Sequence, residues 1–416
     1  MFKKLLTILF ISQSLLFVAT SSAGDYQWGM RTRYQSVNDA WLGDATALTT
    51  RVKLTVKYQL DKAQQWQIML QPNYVFAAND HYNSVTVTKT TSPIPDPQGF
   101  NLLQAQLSYA SNNNWQVNIG RQRLSFDNER FIGGIDFWQT PQNFDALKLT
   151  YNNHINWHIQ YAYSNKVHRI FGHDATAMLP EDDIRYGILK QKPINELGVH
   201  HLNSHLLNIH YQTDNDLNIV GYDYLIENTD QNLFSTQTLG VRIQDEFKPN
   251  SLKYRYTLEF AHQQDAFNNP QNFKTWYSLF EASVQYKSQQ LQLSQEILAE
   301  DNGNGFKTPL ATNHKFQGWA DVFTGYRMQT GLRDQYLTYR GRYKKLRWRA
   351  VWHNFASYKS SEQIGTEIDL ELAYRYTRKW EFKLLYANYQ RKNGLKYFPK
   401  ANFDLSTWFA SVAYNI

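Results

Sequence analysis

Apolar and polar residues alternate along several segments of this chain. Arg51–Tyr58 alternates without interruption, and Leu252–Phe260 and Thr366–Tyr376 follow the same pattern. Successive side chains of a β-strand point to opposite faces, so each segment predicts a strand with one apolar and one polar face. Further segments of this kind are Trp66–Leu70, Leu103–Tyr109, Trp115–Ile119, Ile155–Tyr163, Leu346–Trp352 and Trp380–Tyr386. The pattern indicates an all-β protein.

The connections between these segments alternate between short and long. Eight short polar turns, such as Lys344-Lys345, separate nine long connections, such as Gln35–Leu48, Ser164–Asn203, Glu300–Gly331 and Phe355–Ile364. Bacterial outer-membrane barrels have short periplasmic turns on one rim and long extracellular loops on the other, whereas a soluble β-sandwich has no reason to segregate its loops. We therefore predict a single transmembrane antiparallel β-barrel of about 18 strands, with short periplasmic turns and long extracellular loops.

Aromatic residues and overall composition agree with this prediction. Aromatics stand at the ends of the apolar faces, as at Trp115, Trp380, Tyr386, Trp408 and Tyr414, which is typical of the interfacial girdles of membrane barrels. The 416 residues include 28 Tyr, 24 Phe and 12 Trp, a content that excludes intrinsic disorder. A mean hydropathy of −0.59 excludes a bundle of membrane-spanning helices.

The first residues resemble a secretion signal. Lys3 and Lys4 precede the apolar stretch Leu5–Ala19, and small residues follow at 21–23. This order of parts predicts a signal peptide over residues 1–23 and a mature outer-membrane barrel over residues 24–416. We expect the mature chain in the outer membrane of a Gram-negative bacterium, where it contacts lipid and requires the barrel-assembly machinery.

The polar faces of the predicted strands carry many cations, which form two patches. Arg340 and Arg342 lie on one strand and Arg347 and Arg349 on the next. Because the first strand of a closed barrel pairs with the last, a second patch contains Arg31, Arg33, Arg51 and Lys53. Basic residues that line a narrow pore favour anions. The alternative is that these cations are solvated and compensated by acids such as Glu367, Asp369 and Glu371.

Two long loops hold further cations. The first begins at Gly120–Gly134; its aromatic and charged residues predict a loop folded into the pore or over its mouth. Arg121 falls on the apolar parity of its strand, so we expect a bulge at Gly120 that redirects it. The second loop, Gly303–Asp321, holds Lys307 and Lys315.

The segments GRQRLSFDNERFIGG…FWQTPQNFDALKL, FKTPLATNHKFQGWADVF…GLRDQYL and GTEIDLELAYRYT resemble the alginate-export outer-membrane family of Gram-negative bacteria. The resemblance implies an 18-stranded barrel with an arginine-lined constriction that passes an anionic polysaccharide. The residues that it marks as constriction candidates are Arg121, Arg123, Arg130, Lys307 and Lys315. General porins have similar sequences, so the resemblance leaves the solute unspecified.

We therefore predict a channel for the passive passage of a small or polymeric anionic solute, without a cofactor or a nucleic-acid partner. The alternatives are a general diffusion porin, or a closed barrel that acts as an adhesin or an outer-membrane hydrolase. No G-x-S-x-G sequence supports a hydrolase, and we predict no enzyme activity. His200, His201 and His205 fall in a predicted loop, where we expect solvated histidines rather than a metal site.

Overall fold

The computed structural model describes residues 24–84, 91–175, 197–323, 329–392 and 399–416, together with Met178 and Glu181. The predicted signal peptide, residues 1–23, lies outside the described residues. In the described ranges the chain forms an 18-stranded antiparallel sheet and one separate two-stranded hairpin. Among these residues no helix has the length and apolar character needed to cross a bilayer.

The eighteen strands of the sheet are β1 (Gly24–Asp39), β2 (Ala45–Gln59), β3 (Trp66–Ala77), β4 (Gly99–Ala110), β5 (Trp115–Gln122), β6 (Asn143–Asn152), β7 (Trp157–His168), β8 (Val199–Gln212), β9 (Asn218–Ile226), β10 (Thr236–Phe247), β11 (Leu252–Asp265), β12 (Lys274–Tyr286), β13 (Gln289–Leu298), β16 (Leu332–Tyr343), β17 (Leu346–Ser357), β18 (Gln363–Arg375), β19 (Trp380–Arg391) and β20 (Leu405–Asn415). The small hairpin is β14 (Glu300–Asp301) and β15 (Asn304–Gly305).

The sheet closes on itself. Each strand pairs with its neighbours in chain order, and β13 pairs with β16 past the small hairpin. The first strand, β1, pairs with β2 on one side and with β20 on the other. Trp28 and Ile416 exchange backbone hydrogen bonds at this seam, with N···O distances of 3.3 and 3.0 Å. The predicted antiparallel barrel of about 18 strands is confirmed.

The outer surface has the pattern of a membrane-spanning barrel. At the rim with the short turns, which we call the turn rim, aromatic rings of adjacent strands pair, as in Trp66–Tyr109 and Trp157–Tyr211 with centroids 4.6 Å apart. Towards the other end, the loop rim, Tyr386 and Trp408 pair at 4.2 Å. At about 3.3 Å per residue, Tyr386 lies about 20 Å along its strand from Trp380. Exposed Leu, Ile and Val fill the band between these aromatics, which is close to the ~25 Å apolar band of such barrels.

Some connections are shorter than the sequence pattern predicts. The connection predicted over Gln35–Leu48 is residues 40–44, and the one predicted over Phe355–Ile364 is residues 358–362. His200, His201 and His205 belong to β8 instead of a loop. The physical reason is common to these cases: backbone pairing extends the strands beyond the apolar band. There the outward residues, such as Asn38, are polar and the inward ones, such as Val37, are apolar and buried, so the apolar parity reverses and the alternation read from the band no longer marks the strand.

Candidate functional site

The connection between β5 and β6, residues 123–142, folds into the barrel, and we call it the constriction loop. Its aromatic side chain Phe131 packs against inward-facing rings of the wall, with centroids 5.4 Å from Tyr222 and 5.2 Å from Tyr277. Leu124 and Ile132 are fully buried beside it. Burial of this apolar surface holds the loop inside the barrel. The prediction that this loop lies in the pore or over its mouth is confirmed.

Three predicted lumen arginines bind the backbone of the constriction loop. Arg31 donates from Nη1 to the Asp136 carbonyl at 3.1 Å and from Nε to Gln139 Oε1 at 3.0 Å. Arg33 donates from Nη1 to the Phe137 carbonyl at 3.2 Å. Arg51 donates to the Gln139 carbonyl, also at 3.2 Å. This patch does assemble, but much of its hydrogen-bonding capacity anchors the loop.

Asp96, from the connection between β3 and β4, completes the anchor. Its carboxylate lies 3.2 Å from Arg33 Nε and accepts hydrogen bonds from Thr49 Oγ1 at 3.0 Å and from the Gln139 backbone N–H at 2.9 Å. The Arg33 guanidinium also stacks 4.5 Å from the Trp138 ring. Arg33 and Asp96 are both buried, so this ion pair is an internal structural contact.

The same side of the lumen retains an excess of positive charge around Asp136. Its carboxylate lies 3.3 Å from Arg123 and 3.6 Å from Arg51. Burial raises the pKa of Asp136, but Arg123, Arg51, Arg31 and Lys53 together lower it below its ordinary value. Asp136 is therefore ionised and offsets one of the four charges that surround it. Lys53 is half-buried and forms no ion pair with a described residue.

Arg121 lies on the outer face of the barrel near the loop rim. Its strand, β5, pairs with β4 and β6 without a shift in register. The bulge expected at Gly120 is therefore not formed, although Gly120 adopts a positive φ of +112°. Arg121 therefore keeps the parity of Ile119, which faces outward, and pairs with Asp145 at 2.8 Å. It also donates to the Leu102 carbonyl at 3.1 Å. The structure thus separates Arg121 from the constriction.

Arg130 connects the constriction loop to the second loop, which lies in the connection between β13 and β16, residues 299–331. It forms an ion pair with Glu296 of β13, and its guanidinium lies 3.9 Å above the Phe316 ring. Burial lowers the pKa of Arg130, but Glu296 and the weaker effects of Tyr277, Tyr336 and Glu281 together raise it above its ordinary value. Lys315 donates to the Asn128 carbonyl at 2.9 Å. Arg130 and Lys315, two of the constriction candidates, therefore meet at the contact between the loops.

Lys307 lies away from this contact. Its Nζ donates to Gln271 Oε1 at 2.6 Å and sits 4.2 Å from the Phe273 ring. Burial lowers the pKa of Lys307 to about 8. Lys307 therefore fixes the second loop to the connection between β11 and β12.

The two loops leave a cavity of about 230 Å³ against the wall from β10 to β17. Its described lining contains more cations than carboxylates. The cations are Arg130, Arg242, Arg255, Arg340, Arg349 and Lys315. The carboxylates are Glu281 and Glu296, and the aromatic side chains are Phe316, Trp319 and Tyr336.

Most of these cations are paired, as the compensated alternative expects. The pairs are Arg130–Glu296, Arg242–Glu259 (3.4 Å), Arg255–Glu246 (2.5 Å), Arg349–Glu371 (3.3 Å) and Lys315–Glu129 (3.7 Å). Arg340 is exposed to the lumen and forms no ion pair with a described residue. It faces Arg349 across the strand pair, and the Arg349 guanidinium stacks 4.3 Å from Trp319.

Arg342 and Arg347 lie closer to the turn rim than Arg340 and Arg349. They are directly opposite each other beside the turn 344–345. Arg342 donates to the Lys344 carbonyl at 3.2 Å, and Arg347 donates to Glu381 at 2.6 Å. The predicted four-arginine patch is thus divided into an inner pair at the cavity and an outer pair at the rim.

Several lining residues were not among the candidates taken from the sequence. Alternation places Arg242 and Arg255 on the polar face of their strands and so predicts that they face the lumen, although it does not single them out as site residues. Asp96 and Gln139 carry no such signal, because they lie in two different connections, 43 residues apart in the chain, and meet only when the constriction loop folds into the barrel. In the described ranges, no group of three or more His, Cys, Asp or Glu residues is placed to hold a metal.

Comparison with known proteins finds similarity in structure but not in sequence. No protein-family model matches the chain, and no curated protein matches it. The solved structure of OccAB4 from Acinetobacter baumannii has a TM-score of 0.70 at 13% identity, covering 95% of this chain and 99% of that one. The outer membrane protein OpdK from Pseudomonas aeruginosa gives 0.66 at 11%, covering 94% and 98%.

OpdK with vanillate gives a TM-score of 0.67 at 12% identity, with 95% of this chain and 98% of that one covered. The TM-scores establish a shared fold, and at 11–13% identity the similarity shows the fold alone. The comparisons do not confirm the resemblance to the alginate-export family. The chain therefore has the closed porin-like barrel fold of these bacterial proteins, and its function has to be argued from its own residues.

Proposed function

We propose that this protein is a porin that lets anionic solutes diffuse across the outer membrane of a Gram-negative bacterium. Three features support the proposal: the apolar outer band with its aromatic ends, the barrel fold, and a lumen narrowed by two inward-folded loops. Such a barrel requires lipid and the assembly machinery of that membrane as partners. We assign no enzymatic activity to it.

The cations left without a full counter-charge, Arg340 at the cavity and the group around Asp136, carry the preference for anions. Six cations and two carboxylates line the described part of the cavity, and Arg340 forms no ion pair with a described residue. In a narrow pore with low-dielectric walls, such an excess raises the local concentration of anions. Arg340 and Arg349 attract the solute at the cavity, and Lys53 of β2 and Arg123 of the constriction loop do so beside Asp136. Release requires that each of these contacts stays weak.

We further propose a small carboxylate as the solute class. The constriction loop and the second loop occupy the lumen, and Phe316 and Trp319 stack on Arg130 and Arg349 at 3.9 and 4.3 Å. A flat ring beside a guanidinium suits a planar carboxylate such as vanillate, with which OpdK was crystallised. An anionic polysaccharide, as the alginate-export resemblance implies, is the alternative, and a general diffusion porin is another.

Planar-bilayer recording under a salt gradient tests the proposal. We expect the wild-type reversal potential to show anion preference, and the double variant Arg340→Gln and Arg349→Gln to lower the anion-to-cation permeability ratio several-fold. Lys287→Gln, on an exposed turn beside Tyr286, removes one positive charge outside the lumen and should leave the ratio unchanged.

Two outcomes contradict parts of the proposal. Folded protein without conductance excludes the channel and favours a closed barrel. Conductance without ion preference leaves a general diffusion porin. Adding vanillate or an oligouronate then separates the solute classes, because the permeant one interrupts the current at a frequency that rises with its concentration.

A further inference from the structure

We propose that His158 and His210 form a binding site for a divalent transition-metal cation inside the barrel, close to the turn rim. The two residues lie on neighbouring strands and are direct partners in the ladder of β7 and β8. Their imidazole rings are close, with centroids 5.6 Å apart and planes at 73°. Nothing in the proposed channel function requires this pair.

The separation suits a chelated metal. Zn–N bonds of about 2.0 Å in tetrahedral geometry place the centroids of two ligating imidazoles about 5 Å apart. Residues directly opposite each other in an antiparallel pair have neighbouring Cβ atoms on the same face. A small rotation of either side chain therefore brings both rings to a single ion.

Both histidines face the lumen and are accessible from it. Their neighbours Trp157 and Tyr211 point outward and pair at the turn-rim girdle, so alternation directs His158 and His210 inward. Both are half-buried. His158 is the second residue of β7, which places the pair near the mouth at the turn rim.

Asp127 of the constriction loop prepares His210 for metal binding. Its carboxylate lies 3.0 Å from His210 Nε2 and also accepts a hydrogen bond from Asn208 at 2.8 Å. A carboxylate at one ring nitrogen holds the proton there, which fixes the orientation of the ring and leaves the lone pair of Nδ1 free for a metal. Asp127 is thus a positioning residue, and its negative charge opposes the repulsion from nearby Lys148.

Two imidazoles define the class of ligand. Imidazole ligands suit Zn²⁺, Cu²⁺ and Ni²⁺, whereas Mg²⁺ and Ca²⁺ prefer oxygen ligands. With two ligands from the protein, water fills the other positions, so we expect weaker binding than in a four-ligand structural site. Because Asp127 belongs to the constriction loop, a bound metal also restrains that loop against β8.

The test is titration of the untagged, folded barrel in detergent with ZnCl₂ and NiCl₂, followed by calorimetry. We expect one saturable site per chain in the wild type. His158→Gln and His210→Gln should each weaken binding about tenfold or more, and Asp127→Asn should weaken it by about 10–100-fold. His201→Gln, an exposed outward histidine paired with Asp230, is the matched control and should bind like the wild type.

Heat-dependent migration in electrophoresis confirms that each variant is folded. The proposal is overturned if wild-type protein shows no saturable site, or if the double variant His158→Gln and His210→Gln binds as tightly as the wild type. Binding of MgCl₂ with the same affinity as ZnCl₂ also overturns it, because the imidazole pair would then not be the ligand set.

Discussion

At the scale of single residues, the Arg130–Glu296 ion pair connects the constriction loop to the barrel wall. Both side chains are almost fully buried, at 3% and 1% exposure. Gln317 also donates to Glu296, at 2.6 Å. An isolated buried carboxylate is costly, so removing the cation should matter more than removing an exposed one.

We predict that Arg130→Met lowers the free energy of unfolding by about 3–5 kcal/mol, because it leaves Glu296 buried without a cation. Arg255→Met breaks an exposed pair with Glu246 and should cost no more than about 1 kcal/mol. Guanidinium titration of both variants measures the difference.

The double variant Arg130→Met and Glu296→Leu gives the decisive comparison. We expect it to recover much of the loss, because well-packed apolar residues can replace a buried pair at little cost. If the double variant is as unstable as Arg130→Met, the penalty comes from lost packing on Phe316 rather than from the unpaired carboxylate.

Lys307 provides a prediction about pH. Its pKa is about 8 in the folded chain and about 10.4 in an unfolded chain. Between these values the unfolded chain binds a proton that the folded chain has released, so stability rises with pH. Below pH 8 both states are protonated, and the penalty of burying the charge is constant.

We predict that the wild type gains stability relative to Lys307→Met between pH 8 and 10.4, by an amount on the order of 3 kcal/mol. Unfolding titrations at several pH values measure it. Lys359→Met, an exposed lysine paired with Glu300, is the control and should show a constant difference from the wild type. A constant difference for Lys307→Met as well would mean that its ammonium is hydrated in the folded protein.

At the scale of elements, the constriction loop depends on Asp96. This carboxylate joins Arg33, Thr49 and the Gln139 backbone N–H in one buried contact. We predict that Asp96→Ala frees the loop from the wall and increases single-channel conductance. Asp61→Ala, which removes a carboxylate bound to the Trp66 N–H in a turn at the turn rim, should leave conductance unchanged.

An unchanged conductance in folded Asp96→Ala protein argues that apolar packing of Phe131 alone keeps the loop inside. A conductance change in Asp61→Ala as large as that in Asp96→Ala would instead show a general effect of destabilising the barrel. The two variants therefore distinguish a specific anchor from global loosening.

Strands and loops differ in how well the sequence predicts them. Alternation marks β2, β11 and β18 because lipid and water impose opposite demands on their two faces. It fails at the ends of strands, as for His200 and His201 of β8. For Arg121 alternation was right and the expected bulge was wrong: Gly120 adopts positive φ, yet the ladder passes through it without a bulge, so Arg121 keeps its outward parity.

At the scale of the whole molecule, the outer band should be sensitive to charge according to depth. Leu293 lies in the middle of β13, is 58% exposed and faces outward, whereas Leu60 lies in a turn at the turn rim. We predict that Leu293→Arg costs about 2–4 kcal/mol in vesicles and Leu60→Arg about 0–1 kcal/mol. Guanidinium unfolding in phosphatidylcholine vesicles gives both values. Equal costs would argue against a bilayer around β13.

The sequence by itself determined the barrel, its 18 strands and the separation of short turns from long loops. It did so because lipid on one side and water on the other act on every second residue, a local and periodic constraint. The tertiary structure decided which cations remain available. Whether Arg33 anchors a loop, Arg130 pairs with Glu296 or Arg340 lacks a partner depends on contacts between distant segments. Because folding a loop into the barrel pairs charges that are remote in the chain, alternation cannot foresee them.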